Sequence, residues 1–518
     1  MKIDNAGMRS RTRPWLAALL TCLALGVSAN ACAEYGFDPD WNGDDMFYID
    51  TLATIDGQSS RYGGKHAVLP NGDIVMAGVV RLADDTIAPF WNIGLVRYSP
   101  EGFVRPWTAS SSPYFWHFQE YVIYPNLPNG GTGDTKIESV EDIAYAEGKI
   151  YVLVTRQFST SPADRDAALV VFNEDGSFQQ NLSVILSNVN EYARGIDVAV
   201  TNLAAKPVTV TILAERYAPG PRLVVAKYNL GSNGLLAVDS GFNGGVPLLV
   251  PVTTACVGSD FCNMYAGDIE RPERVFPSDG MPIYVVGSVQ RNGADWDYAA
   301  VKINPNGTVD TNFGFGGVRY VAFDQAGSDR GDFGYRLDID SGLPGLTLDT
   351  LYISGNVHRS CKDGIGVVAL DGDGDDLAGF GTSGRIVHGG SSETGTICDQ
   401  DASLYVGDLV KNGNELAMAA TIASLDQGGT QLVDGALLRV DATTGNARGL
   451  ARLPAASDSL RLGDARPRGI SHAGMGRYLV TGDITNVPFG VGTAYISAAV
   501  IPSDRIFADG FDRGVAER

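Results

Sequence analysis

The sequence predicts an all-β chain: a seven-bladed β-propeller of four-stranded antiparallel meanders, its ring closed by N- and C-terminal strands in one blade. Three observations predict it. A short apolar segment ending in a polar turn recurs as "GLVRYSPEG", "ALVVFNEDG", "LVVAKYNLGSNG", "AAVKINPNG", "GVVALDGDG" and "ALLRVDATTG", with a seventh copy, "SAAVIPSD", near Asp504. A second apolar segment precedes each copy, among them "DIVMAGVV", "PIYVVGSV" and "GRYLVTGDI". Finally, Asp38 to Ile49, "DPDWNGDDMFYI", aligns without a gap on Asp310 to Val321, "DTNFGFGGVRYV". The chain thus begins with the outer strand of a unit whose other strands come last.

The repeat anchors Ser99, Asn173, Asn229, Asn304, Asp371 and Asp441 stand 74, 56, 75, 67 and 70 residues apart. Between them the runs are short, rich in β-branched residues and bounded by Gly, Asn, Asp and Pro, which is the chemistry of strands and turns. A repeat of this kind overrides the several domains that length alone would suggest. Closing the repeats into a ring leaves few exposed strand edges. The expected propeller spans residues 34–505. Within "INPNGTVDTNFGFGGV" the glycines supply the positive φ of tight turns, and Phe313 is expected to pack between blades.

The ends carry separate signals. Arg9, Arg11 and Arg13 precede an apolar run from Trp15 to Val27, too short to span a bilayer, and A-x-A sites follow at Ala29–Ala31 and Ala31–Ala33. This is a signal peptide, residues 1–33, and it implies a secreted, periplasmic or cell-surface protein; a lipid anchor at Cys32 is the weaker rival. Cleavage after Ala33 leaves Cys256, Cys262, Cys361 and Cys398, an even set that suggests two disulfides, with Cys361–Cys398 the sterically sensible pair. Residues 506–518 form a C-terminal tail. No other apolar run is long enough for a membrane span.

The formal net charge is −21, and cleavage of the leader, with Lys2, Arg9, Arg11 and Arg13 against Asp4, removes a net charge of +3. Such a surface repels nucleic acid and favours cations or cationic partners. The expected protein is a monomer that takes an extracellular glycan, peptide or protein ligand.

"VKINPNGTVDTNFGFGGV", together with "LPNGDIVMAGVV" at Leu69 to Val80, resembles the delta-60 repeat of secreted bacterial proteins. The resemblance is clearest at residues 223–246, 298–321 and 365–386. It implies a propeller-like fold and export, and no particular activity. "IFADGFD" near the C-terminus resembles a short tail of exported Gram-negative proteins.

Three sets of residues are candidates for chemistry. Asp followed by an aliphatic residue recurs at Asp142, Asp197, Asp268, Asp338 and Asp408, and His66 aligns with Asp142 when counted from the next strand. Strands lining a channel would bring these groups into a carboxylate ring that suits calcium. The competing reading has each Asp capping its own blade's turn. The second set is Trp107, Tyr114, Trp116 and Tyr121, in an aromatic insertion expected to connect blades one and two. It would hold a sugar or peptide, or else form an apolar flap. The third, "LDGDGDD" at Leu370 to Asp376, lacks the Gly and Glu of a calcium loop and reads as a turn. No H-E-x-x-H, G-x-S-x-G or P-loop occurs. The expected function is non-catalytic binding; the alternative is a hydrolase or lyase acting on an extracellular polymer.

Overall fold

The computed structural model describes residues 35–37, 48–50, 59–81, 91–108, 115–116, 121–124, 135–158, 164–184, 189–200, 208–217, 220–251, 263–273, 280–292, 295–323, 331–342, 348–359, 363–389, 403–425, 431–453, 456–457, 460–461, 464–473, 477–485 and 494–502. The leader, the C-terminal tail, Tyr114 and all four expected disulfide cysteines lie outside these. Among the described residues the only helical piece is the 3-10 turn Asn243–Gly245, and no helix is long and apolar enough to cross a membrane.

Among the described residues the strands form seven sheets of four or five strands, plus a two-stranded ribbon at Ala456–Ser457 and Leu460–Arg461. Each sheet starts from an inner strand: Ser59–Val68, Thr135–Ala146, Glu191–Val200, Met264–Glu270, Asp332–Asp340, Ser403–Asn412 and Asp464–His472. The sheets are numbered in that order. Successive strands pair antiparallel outward from the inner one, as in a β-propeller. In the seventh sheet Tyr35–Phe37 and Tyr48–Asp50 both pair with Ala494–Pro502, so the two ends of the chain meet in one sheet.

Middle strands are buried on both faces, as Gly364–Asp371 shows, because each sheet is covered by a neighbour on either side. Apolar clusters therefore join consecutive sheets: Val225, Ile269, Val285 and Val301 link the third and fourth, and Tyr284, Leu337, Leu351 and Leu370 the fourth and fifth. Each such side chain removed from water contributes about 1.5–3 kcal/mol.

The repeated turn locks the outer parts of consecutive sheets together at three junctions, from the third sheet to the sixth. Asn304 N–H donates to Thr308 O at 2.7 Å and Gly307 N–H to Asn304 O at 2.9 Å, with Gly307 at φ +84°. Downstream, Phe313 is fully buried, and Gly314 N–H donates to Asp373 O in the turn of the fifth sheet at 3.0 Å. A Cβ on Gly374 would stand 3.1 Å from the Phe313 ring. The same pairing joins Phe242 and Asn243 to the turn at Asn306, and Phe380 and Gly381 to the turn at Thr444. Phe313 thus packs between sheets, as its sequence predicts. In the third sheet the turn starts at Gly231 rather than Asn229, since the third strand, Arg222–Leu230, runs past the anchor. "LDGDGDD" is a turn: Asp371 Oδ1 accepts from the N–H groups of Asp373 and Asp375 at 3.0 and 2.9 Å.

The aromatic insertion is placed differently from its expected position. It does not merely connect two sheets; Phe115–Trp116 and Tyr121–Tyr124 are themselves strands of the first sheet, and Tyr121 pairs with Val96. Trp107 is 1% exposed, inside the apolar cluster that contains Ile150 and Phe172 of the second sheet, with the Arg97 guanidinium 6.0 Å from its ring. A side chain sealed in this way packs sheets together and has no face left for a ligand. The side chains of Trp116 and Tyr121 lie outside the described residues.

Candidate functional site

Every inner strand carries a register break at a comparable level. The extra residues are Gly64, Glu141, Arg194, Gly267, Tyr335, Gly407 and Arg468. A bulge leaves backbone groups off the ladder, and buried N–H groups need acceptors. The preceding sheet supplies them. Just before the bulge, Thr155 Oγ1 accepts from Ala193 N–H at 3.0 Å and Glu215 Oε2 from Ala266 N–H at 3.0 Å. Ser288 Oγ accepts from Gly334 N–H at 3.1 Å, and Asn356 Oδ1 from Val406 N–H at 3.1 Å. Just after it, Asp142 Oδ2 accepts from Ile196 N–H at 3.1 Å, Asp268 Oδ2 from Leu337 N–H at 3.4 Å, and Asp408 Oδ2 from Ile470 N–H at 3.1 Å.

The five repeated aspartates are therefore not one ring. Asp142, Asp268 and Asp408 follow the bulge directly, whereas Asp197 and Asp338 sit two residues farther along their strands. Asp338 Oδ2 accepts from Lys411 N–H at 2.6 Å, and Asp197 pairs with Arg271. All five reach the following sheet instead of capping their own turn. Lys65, not His66, occupies the position equivalent to Asp142, because the first hairpin turn is one residue longer than the turn at Glu147–Gly148.

His66 instead joins the first sheet to the seventh. Its Nδ1 lies 2.7 Å from Thr481 Oγ1 and its Nε2 2.6 Å from Ser471 Oγ. Thr481 donates its only hydroxyl proton to Gly64 O, so Nδ1 must carry the imidazole proton and Nε2 must accept from Ser471. Burial pushes the imidazole down to about 4, consistent with this neutral form.

Cations interleave the carboxylates. Lys65 Nζ is 3.2 Å from Asp408 and 3.9 Å from Asp142, and Arg336 Nε is 3.8 Å from Asp408 while donating to Gly407 O at 2.6 Å. Burial pushes the Asp268 and Asp338 carboxyls up to about 7 and raises Asp142 as well. Among the described residues no three His, Cys, Asp or Glu side chains form a group that could hold a metal. The expected cluster of Asp142, Asp197, Asp268, Asp338, Asp408 and His66 is not assembled, because lysine and arginine groups and backbone N–H donors take up the carboxylate oxygens.

On the strand-start side of the bulges lies a pocket of about 440 Å³ whose charged and aromatic lining is Lys65, Arg194, Arg336 and Arg468 against Glu138 and Glu141, with Tyr192, from five different sheets. A second pocket of about 350 Å³ adjoins it and shares Arg336 and Arg468. Arg466, Tyr405 and Thr421 complete its polar lining, which contains no carboxylate. Arg466 and Arg468 are exposed, although Arg468 Nε also donates to Asp483 at 2.9 Å. In a chain of net charge −21, this mouth is locally cationic. Whole-chain charge had pointed to cationic partners, and the local arrangement runs the other way.

Two residues before the bulge, five inner strands carry an aromatic residue: Tyr62, whose side chain lies outside the described residues, and Tyr192, Tyr265, Phe333 and Tyr405. The last four are 73, 68 and 72 residues apart, a repeat signal present in the sequence. Three of them belong to a longer row. Tyr192 lies 5.1 Å from Tyr217, Tyr217 6.4 Å from Tyr265, and Tyr265 stacks on Trp296 at 4.4 Å. Trp296 continues to Phe333 at 5.9 Å, and Phe333 to Tyr335 at 6.2 Å.

No known family pattern matches the sequence, and no curated protein matches it. Among solved structures, it is similar to a protein of unknown function from Dyadobacter fermentans, at 10% identity and TM-score 0.38, covering 88% of this chain and 98% of the other. It is similar to the Neurospora crassa Pan2 WD40 domain at 7% identity and TM-score 0.38, covering 89% and 91%. A Trypanosoma rangeli sialidase mutant displaying trans-sialidase activity matches at 10% identity and TM-score 0.34, covering 72% of this chain and 53% of that one.

Proposed function

We propose that this protein is an exported, non-catalytic binding propeller of the delta-60 repeat type, and that its mouth takes an anionic ligand. In this reading the seven sheets close as a seven-bladed ring, with His66 and Thr481 at the seam. One observation carries the ligand: Arg336, Arg466 and Arg468 line one pocket with no carboxylate among them. Guanidinium groups present paired donors that match a carboxylate, sulfate or phosphate, and they keep their charge at any physiological pH.

The test is calorimetric titration with citrate, with spermine as the cationic control. Citrate should bind and weaken about tenfold or more in Arg466→Ala/Arg468→Ala, as loss of charge-assisted hydrogen bonds dictates. Spermine binding with no citrate binding would overturn the reading.

The second reading is a hydrolase or lyase. It is favoured by Asp268 and Asp338, whose carboxyls near 7 are suited to proton transfer. Release of reducing ends or unsaturated products from an acidic polysaccharide, lost in Asp268→Asn, would establish it.

A further inference from the structure

We infer that the aromatic row beside the arginine pocket is a binding strip for the successive sugar rings of an acidic polysaccharide. This rests on the anion-binding reading and names the ligand class. The row is an arc from Tyr192 through Tyr217, Tyr265, Trp296 and Phe333 to Tyr335, with steps of 4.4 to 6.4 Å. Tyr217 is 41% exposed and the other five are partly exposed. Both ends of the arc meet the cationic mouth: Tyr192 lines the larger pocket, with the Arg194 guanidinium 5.7 Å from its ring, and Tyr335 directly precedes Arg336.

Partly exposed rings gathered in one row are costly to leave on a surface unless something covers them. What covers them must combine apolar patches with hydroxyls, because four of the six rings carry a phenol and one an indole N–H. A pyranose ring has that composition, and a carboxylate on the sugar meets the arginines. The inner strands each end a sheet and pair on one side only, so an extended peptide is the rival occupant; the sugar is favoured because its hydroxyls and apolar ring faces recur at every unit along the row.

The experiment titrates the full mature protein with galacturonate, with an oligogalacturonate, with a neutral maltooligosaccharide and with polyglutamate, following tryptophan fluorescence and heat. The oligogalacturonate should bind at least about tenfold tighter than the monosaccharide, the gain coming from added ring contacts. Tyr217→Ala should remove most of that gain and leave citrate and galacturonate binding unchanged. Tyr265→Phe, which keeps the ring, should retain the gain. Equal affinity for monomer and oligomer, or an unaltered gain in Tyr217→Ala, overturns the strip and leaves the anion site standing. Loss of all anion binding in wild-type protein overturns both. Tighter binding of polyglutamate than of oligogalacturonate makes the occupant a peptide, and tighter binding of the maltooligosaccharide removes the acidic requirement.

Discussion

Lys65 Nζ lies 3.2 Å from Asp408 Oδ2 and 3.9 Å from Asp142 Oδ1, so one ammonium from the first sheet holds carboxylates of the sixth and the second. The side chain is 11% exposed, Asp408 16% and Asp142 17%. Removing one partner of a mostly buried pair leaves the other charge uncompensated. Lys65→Met should therefore cost about 3 kcal/mol or more in urea denaturation. Lys65→Met/Asp408→Asn should recover part of the loss. A single variant as stable as wild type would show that the ammonium is not needed there.

The carboxylates are held by protein groups, and this makes a clear statement about calcium. Thermal melts in EDTA and in millimolar calcium should coincide, and Asp268→Asn should respond to neither. A calcium-dependent rise lost in Asp268→Asn would reinstate the metal reading of the sequence.

The pH dependence has two opposing parts. Asp268 and Asp338 have folded values raised from 3.8 to about 7, so their contribution is complete below 3.8 and is lost as pH rises through 7. His66 has its folded value lowered from 6.5 to about 4, so its contribution is complete above 6.5 and is lost as pH falls through 4. Wild-type stability should decline between about pH 4 and 7, most steeply above 6.5 where the opposing His66 contribution is already complete, and level off above 7. That decline should be shallower in Asp268→Asn/Asp338→Asn, and an unchanged slope would mean both groups are ionised in the fold.

Two phenylalanines in "FGFGG" have opposite fates. Phe313 is 1% exposed between the fourth and fifth sheets, and Phe315 is 72% exposed. Phe313→Ala should cost about 3–5 kcal/mol, while Phe315→Ala should stay within about 0.5 kcal/mol. Gly374→Ala should also destabilise, since its φ is +87° and its Cβ would press on the Phe313 ring. Equal effects of the two Phe substitutions would refute the inter-sheet packing.

Much of the architecture was legible. Antiparallel units, their turns and the pairing of N-terminal strands with the last strand all follow from local alternation and from copied turn chemistry, which act over a few residues. The aspartates were visible as a repeat, but their role was not. Which backbone N–H needs an acceptor depends on a bulge, and Asp142 and Ile196 are 54 residues apart. Trp107 falls on the apolar alternative for a related reason: an aromatic residue in an irregular stretch looks available until the neighbouring sheet is seen to cover it.

The sequence by itself determined strands, turns, their repetition and the overall negative charge, because these depend on composition and on neighbours along the chain. Only the tertiary structure decided that Lys65 and Arg336 sit among the carboxylates, that arginines gather at the mouth and that six rings form one row. Those facts depend on the register of seven inner strands. A single extra residue in a bulge or a hairpin turn shifts which side chain arrives at a given level, and no local pattern records that shift.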